Sequence, residues 1–312
     1  MNSSTVNIKA IPVIFGPTAS GKTRIAEILA QISNGEIISA DSRQIYRKLD
    51  IGTAKPVNSS IRYHLTDIIE PEEQFDAARF IELAIEVCNE ILSREKLPII
   101  AGGTGLYIRA LTVGIFSGDF KNIGIRNELK KKHESGENLY IELQKLDPAA
   151  AERIDPRNYV RIERALEVSI VSGKPISYWW EHATKAPSDF RFAKYCLEIN
   201  REKLYRQIEE RTFKMLDSGW VNEVEELLNK GVSPESPGLS SIGYRTIVKF
   251  ILGEITYEDM SMQIIRETKR YAKRQITWFR KEPNTIQICI DDMQPDEIAE
   301  KIFFLWKTTR QE

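Results

Sequence analysis

The feature that most constrains this chain is an apolar run leading straight into a glycine-bounded loop. Ile11 to Phe15 is long enough for a buried strand. Gly16-Pro17-Thr18-Ala19-Ser20-Gly21-Lys22-Thr23 follows and matches G-x-x-x-x-G-K-T. Ile25, Ile28, Leu29 and Ile32 then fall at i, i+3, i+4 and i+7, which predicts a helix. A strand, a glycine loop and a helix in that order form a phosphate cradle. The glycines let backbone N–H groups converge on phosphate oxygens at the positive end of the helix. Lys22 adds a charge, and the Thr23 hydroxyl reaches a phosphate or a Mg²⁺ held by it. The loop alone leaves open ATP, GTP or another pyrophosphate ester.

The strand–helix alternation continues. Glu36 to Ser39 reads as a strand ending at Asp41, and Ile81, Ala84, Ile85, Cys88, Ile91 and Leu92 mark one face of a helix. Leu97 to Ala101 is a further strand, running into Gly102-Gly103-Thr104-Gly105. This pattern predicts a parallel α/β sheet flanked by helices, a P-loop kinase-like core. From about residue 117 the texture becomes charged and helical, over 125–146 and 148–172, with a stop at Gly173-Lys174-Pro175. A polar, aromatic stretch then passes Trp179, Trp180 and Pro187, and Tyr195 to Ile199 returns to strand character. The expected organisation is a core over 8–118 and 194–312 and a helical insertion over 119–193. Helices are expected at 201–217, 220–230 and Tyr257 to Phe279, then a last strand over Ile286 to Ile290 and an amphipathic helix holding Ile298, Ile302 and Leu305.

In open parallel sheets ligands bind beyond the C-terminal ends of the strands. Asp41 lies there, placed to organise Mg²⁺, to act as a base, or merely to cap a helix. Gln44 can both donate to and accept from a base edge. Gly102 to Gly105 ends another strand at the same edge, as a site of close backbone approach or as a plain tight turn.

Bulk composition excludes more than it proves. A net charge of −1 over 312 residues does not advertise nucleic-acid binding, so any RNA site must be a local patch. Arg266, Arg270 and Lys273, at i, i+4 and i+7 with Lys269 and Arg274 nearby, and the run Lys130-Lys131-Lys132 are the candidate patches. Cys88, Cys196 and Cys289 are too scattered for a zinc site, and His64, His133 and His182 read as structural or surface residues. Met1 to Thr5 has neither a secretory core nor transit-peptide arginines, and no apolar run approaches the roughly 20 residues that span a bilayer. A soluble, cytoplasmic protein with no membrane partner is expected.

Beyond generic physics, several blocks resemble the tRNA dimethylallyltransferase family. They are Gly16 to Thr23, Ser39-Ala40-Asp41-Ser42-Arg43-Gln44-Ile45-Tyr46, Asp50-Ile51-Gly52-Thr53-Ala54-Lys55-Pro56, His64-Leu65-Thr66-Asp67 and Gly102 to Tyr107. Arg164-Ala165-Leu166-Glu167-Val168, Ile242-Gly243-Tyr244 and Tyr271-Ala272-Lys273-Arg274-Gln275-Ile276-Thr277-Trp278-Phe279-Arg280 complete the series, in the family's order over about 11–281. The resemblance implies transfer of a dimethylallyl group from dimethylallyl diphosphate to the N6 amine of adenine 37 in tRNA. The loop would then hold a pyrophosphate, with Mg²⁺ as cofactor. It implies Asp41 as general base, Lys22 and Thr23 as catalytic pyrophosphate contacts, and Arg211 as a grip on the same group. Asp41, Ser42, Arg43, Gln44, Thr104, Arg126, Arg161, Arg164, Gly243, Tyr244 and Arg245 would contact tRNA. Two departures stand out. Phe75-Asp76-Ala77-Ala78 replaces a small or hydroxyl residue, and the C-terminal zinc finger of eukaryotic members is not seen, so the chain resembles the short bacterial form. A monomer is expected. The competing readings are a small-molecule P-loop kinase, a prenyltransferase acting on free AMP, and an RNA-binding protein that has kept a P-loop.

Overall fold

The computed structural model describes residues 10–56, 59–116, 118, 120–182, 184–185 and 190–309. Residues 1–9, the insertion boundary at 119, Pro187 and 310–312 lie outside the described residues. The chain divides into two compact units, Met1–Thr112 with Pro187–Glu312, and Val113–Ala186. These boundaries fall a few residues before 119 and 193.

The first unit is built on six strands: β1 (Ala10–Phe15), β2 (Gly35–Ser39), β3 (Tyr63–His64), β4 (Leu97–Gly102), and β7 (Arg191–Glu198) with β8 (Thr285–Cys289), β5 and β6 belonging to the second unit. They lie side by side as β3-β2-β4-β1-β7-β8. Every pairing is parallel, with Val13 opposite Ile100 and Lys194 on the two sides of β1. Central parallel strands covered on both faces need side chains that tolerate burial throughout, and every residue of β1 and β2 is buried.

Helices cover the sheet. α1 (Lys22–Ser33) and α13 (Pro295–Thr309) pack Ile25, Leu29, Ile298, Ile302 and Trp306 against one face. Trp306 also donates its indole N–H to Ala10 O at 2.7 Å, joining the C-terminal helix to β1. α2 (Ala77–Ser93) buries Phe80, Ala84, Cys88 and Ile91, and its Phe80 stacks on Tyr107 of α3 (Gly105–Thr112) with ring centroids 4.4 Å apart. A further layer comprises α9 (Arg201–Asp217), α10 (Trp220–Asn229), α11 (Tyr244–Ile251) and α12 (Tyr257–Phe279). It closes around Leu216, Trp220, Leu239, Tyr244, Ile247 and Ile264.

Local departures from the periodicity have physical causes. Ile32 is exposed in the last turn of α1, which ends at Ser33 before the left-handed Asn34. β7 starts at Arg191 instead of Tyr195. Its buried Lys194 hid the strand, and the structure compensates that charge with Glu282 at 3.0 Å. The two-residue β3 is too short for any period to reveal it. α11 follows a Ser/Pro/Gly-rich loop and is only eight residues long.

The second unit contains α4 (Ile123–Glu134), α5 (Leu139–Leu146), α6 (Pro148–Arg153), α7 (Tyr159–Ser172) and α8 (Ile176–Glu181), with an antiparallel pair, β5 (Gly114–Ile115) and β6 (Thr184–Lys185). Asn122, Asn138, Asp147 and Asn158 each accept a first-turn N–H, which explains how four short helices start cleanly in a charged sequence. Gly173 ends α7 at φ 68°, a left-handed C-cap. The core is Leu129, Leu143, Ala150, Ile162, Leu166 and Ile176, with Phe120 and Trp179 at 4.7 Å.

Candidate active site

At the C-terminal end of β1 the chain turns sharply through Gly16. A Cβ there would come within 3.0 Å of Leu197 O. Ala19 and Gly21 both take positive φ, 63° and 78°, so the loop curls tightly before α1 begins. Gly21 caps α1 with no side chain, leaving the first-turn N–H groups directed outward for an anion. Lys22 Nζ donates to Pro17 O at 2.7 Å, folding its ammonium back over the loop. Ser20 is buried, and its hydroxyl has no hydrogen-bond partner among the described residues. Thr23 is exposed at the start of the helix.

Asp41 follows β2 on the same edge. Its Oδ1 accepts the N–H of Arg43 at 2.8 Å, a local turn that holds the carboxylate upright. Both flanking residues are tied to Thr104. Its N–H donates to Ala40 O at 3.1 Å, and its Oγ1 accepts the Ser42 N–H at 2.9 Å. Gly102 permits this approach, since a Cβ would sit 2.2 Å from Ala40 O.

α9 and α12 close the site. Arg211, from α9, and Tyr271, from α12, join Asp41 and Thr18 in lining two adjoining cavities. The larger, about 440 Å³, also takes in Arg43, Ser241 and Arg274. The smaller, about 80 Å³, includes Lys22, Thr23, Ser39 and Gln275. Desolvation, and then the Arg211 guanidinium, push the Lys22 ammonium down to about 8, against the pull of Asp41. Burial also lowers Arg211, and burial with the nearby Asp41 raises the Tyr271 hydroxyl to about 12. Two cations are thus pressed together around one carboxylate, an arrangement that an incoming polyanion relieves.

Several residues named from sequence sit elsewhere or are otherwise occupied. The Gln44 amide accepts from Ser39 Oγ at 2.8 Å and donates to Thr53 O and Ala54 O at 3.2 and 3.3 Å, so it secures the loop instead of offering a free edge. Tyr244 lines the larger cavity but is fully buried; its hydroxyl donates to Glu223 Oε1 at 2.6 Å, and it packs beside Trp220. Gly243, at φ 87°, lets that tryptophan approach to within 2.1 Å of a would-be Cβ. Arg245 reaches the rim of the larger cavity and pairs with Glu267 at 3.2 Å. On α12, Arg266, Arg270 and Lys273 line a groove with α9 on the opposite face of the helix from Ile264, Thr268 and Tyr271. In the second unit, Arg126 and Arg164 both clamp the buried Glu167, at 2.7 and 2.6 Å, while Arg161 is exposed on α7. Lys130 and Lys132 pair with Glu134 and Glu142.

Tyr271 and Gln275 belong to the block from Tyr271 to Arg280, and both line the site although neither residue type by itself points to a role there. Their spacing of four was the available signal. It places them on one helical face, with Trp278 three residues further on.

The IPP transferase family model matches residues 44–282. The chain belongs to the IPP transferase family. It is 44% identical over 291 residues to a tRNA dimethylallyltransferase of Acetivibrio thermocellus, covering 91% of this chain and 93% of that relative. It is 42% identical over 276 residues to the Geobacter sulfurreducens tRNA dimethylallyltransferase, covering 87% and 89%. Among solved structures, the tRNA isopentenylpyrophosphate transferase of Bacillus halodurans superposes with a TM-score of 0.72 at 34% identity, over 97% of this chain and 98% of that one. A eukaryotic dimethylallyltransferase described as acting on tRNA gives 0.75 at 27% identity, over 91% and 74%. The family match begins at Gln44, so the phosphate loop and Asp41 lie before it. The fold is the P-loop-like parallel sheet of this family. No described helix is long and apolar enough to cross a membrane.

Proposed function

We propose that the protein transfers a dimethylallyl group from dimethylallyl diphosphate to the N6 amine of adenine 37 in tRNA, releasing pyrophosphate. One observation carries this reading: Asp41 stands where the two cavities meet, with Lys22 and Arg211 beside it. The smaller space suits a diphosphate head; the larger suits a base turned out of its stack, a cost that is lowest in an unpaired loop.

The adenine N6 amine is a weak nucleophile whose lone pair is spread into the ring. As the N6–carbon bond forms, Asp41 accepts the N6 proton, a contribution of roughly 10²–10⁴-fold. The allylic carbon–oxygen bond breaks, and its electron pair leaves with pyrophosphate. Lys22, Arg211 and the α1 N-terminus stabilise that charge as it grows. Ser20 Oγ supplies a further donor inside the loop. Outside the pocket, Arg161 and the exposed edges of Arg126 and Arg164 contact RNA phosphates, with Arg43, Ser42, Thr104 and Arg245 around the loop nucleotides.

Mg²⁺ fits only as a companion of the diphosphate. No cluster of three His, Cys, Asp or Glu side chains stands among the described residues, so it would be held through the diphosphate, with the Thr23 hydroxyl as its protein contact. When bound, it neutralises charge on the leaving diphosphate. The protein acts as a cytoplasmic monomer, which light scattering with and without tRNA tests.

The deciding experiment is mass spectrometry of unmodified tRNA incubated with enzyme and dimethylallyl diphosphate. A dimethylallyl group on adenine 37 is the expected result. Label appearing only on free AMP, or moving from γ-labelled ATP to a small acceptor, overturns the reading.

A further inference from the structure

The reaction requires two loops to keep a fixed separation. One carries the diphosphate and the other carries the base, and they leave the sheet from different strands, β1 and β2. Among the described residues no backbone hydrogen bond joins them directly. A single side chain of α12 does so indirectly.

Gln275 is buried, with 6% of its surface exposed. Its Oε1 accepts the N–H of Thr18, in the phosphate loop, at 2.8 Å. Its Nε2 donates to Gly103 O at 2.8 Å. Gly103 precedes Thr104, and Thr104 holds both backbone neighbours of Asp41, namely Ala40 and Ser42. The connection therefore runs from the phosphate loop through one amide to the loop that steadies the carboxylate.

We propose that Gln275 is a positioning residue that sets the distance between the departing diphosphate and the Asp41 base, a role that rests on the transferase reading above. A carboxamide places a donor and an acceptor on one small plane; an ionised Glu lacks the donor and Met lacks both, so neither can make both bonds. The neighbourhood is shaped for this contact. Gly103 has no side chain where a Cβ would lie 2.7 Å from Gln275 Nε2. Three residues along α12, Trp278 is seated on Gly105, where a Cβ would lie 2.5 Å from its ring. One turn before, Tyr271 lines both cavities. These contacts fix the rotation of the helix and hence the aim of the amide.

The test uses the full chain with tRNA and dimethylallyl diphosphate. Q275M keeps length and helix propensity but removes both hydrogen bonds. Single-turnover transfer is expected to slow by about 10–100-fold, the scale of a small misalignment of reacting groups. Affinities for tRNA and for inorganic pyrophosphate, by calorimetry, are expected to stay within about threefold. Amide exchange at Thr18 is expected to quicken. G103A leaves Gln275 in place but pushes its amide away, and should reproduce the kinetic split even if Q275M fails to fold. Q275E retains the Thr18 acceptor alone and should stay slow, with weaker pyrophosphate binding from its added charge.

Transfer by Q275M or G103A within about twofold of the wild type overturns the proposal. So does a loss that follows pyrophosphate or tRNA affinity, which makes Gln275 a binding residue, or one that follows the unfolded fraction, which makes it structural. A wild-type protein that binds pyrophosphate but prenylates no tRNA sinks the transferase reading instead. Thr18 exchange in Q275M then shows whether the bracket between the loops exists.

Discussion

The two ends of β2 carry two charge clusters built on opposite principles. Near its start, the buried Glu36 meets His64 Nε2 at 2.7 Å, Arg94 at 2.6 Å and Lys96 at 2.9 Å. Burial alone would raise its carboxyl, but the hydrogen bonds from His64 and Lys96 and the Arg94 charge hold it down at about 2. Just past the other end, Asp41 faces Lys22 and Arg211, both pushed down by burial. The first cluster is compensated on every side and serves as a clasp between β2, β3 and the end of α2. At the second, cations crowd one another, and a buried hydroxyl of the phosphate loop lacks a partner. Titratable groups that gain from a ligand mark the working end of the sheet.

The largest expected effect breaks the Asp41 end. D41N should slow transfer by about 10²–10⁴-fold, since the base acts in the transition state, with tRNA affinity and melting temperature little changed. A loss confined to tRNA affinity would remove Asp41 from the role. At the opposite end, E36Q should cost about 2 kcal/mol of stability by stranding His64, Arg94 and Lys96, as chemical denaturation would show, while turnover of the folded protein stays normal. A fall in turnover there would mean that the two ends are not independent.

K22M should weaken pyrophosphate binding by about 10–100-fold, read by calorimetry. Titration sharpens the same contrast. The Glu36 carboxyl is lowered on folding, so its contribution to stability is present above the ordinary 4.5 and is lost as pH falls towards about 2. Lys22 behaves in the reverse manner. Folding disfavours its ammonium, so it weighs against stability below about 8, and that penalty fades as pH rises towards 10.5. Pyrophosphate favours the ammonium, so its affinity should decline as pH rises through 8, with proton uptake on binding measurable in buffers of different ionisation enthalpy. The smallest effect is expected from Y244F, about 1–1.5 kcal/mol of stability from the lost bond to Glu223, with tRNA binding untouched. Weakened RNA binding by that variant would restore Tyr244 to the interface.

Much of the core was readable because burial and period reinforce each other there. The apolar run before Gly16, the α1 face through Ile25, Ile28 and Leu29, and the 23-residue α12 all emerge from spacing alone. Residues whose environment contradicts their type were harder to place. Lys194 hid a strand because its partner, Glu282, lies 88 residues away in sequence. Tyr244 carried an expectation of RNA contact; nothing in its sequence surroundings shows that its hydroxyl is tied to Glu223 and its ring to Trp220. The cations of α12 were visible as i, i+4, i+7, yet a period names a helical face without saying what that face looks at.

By itself, then, the sequence determined the phosphate loop, the placement of Asp41 beyond a strand end, and the parallel alternation that brings such ends together. These follow from local rules: glycine conformations, strand length and helical period. Only the tertiary structure decided that Gln44 is spent inside its loop, that Glu167 holds Arg126 and Arg164, and that Gln275 reaches Thr18 and Gly103. Each of these depends on hydrogen bonds or ion pairs, several of them between residues far apart in the chain, and no periodicity encodes such a partner.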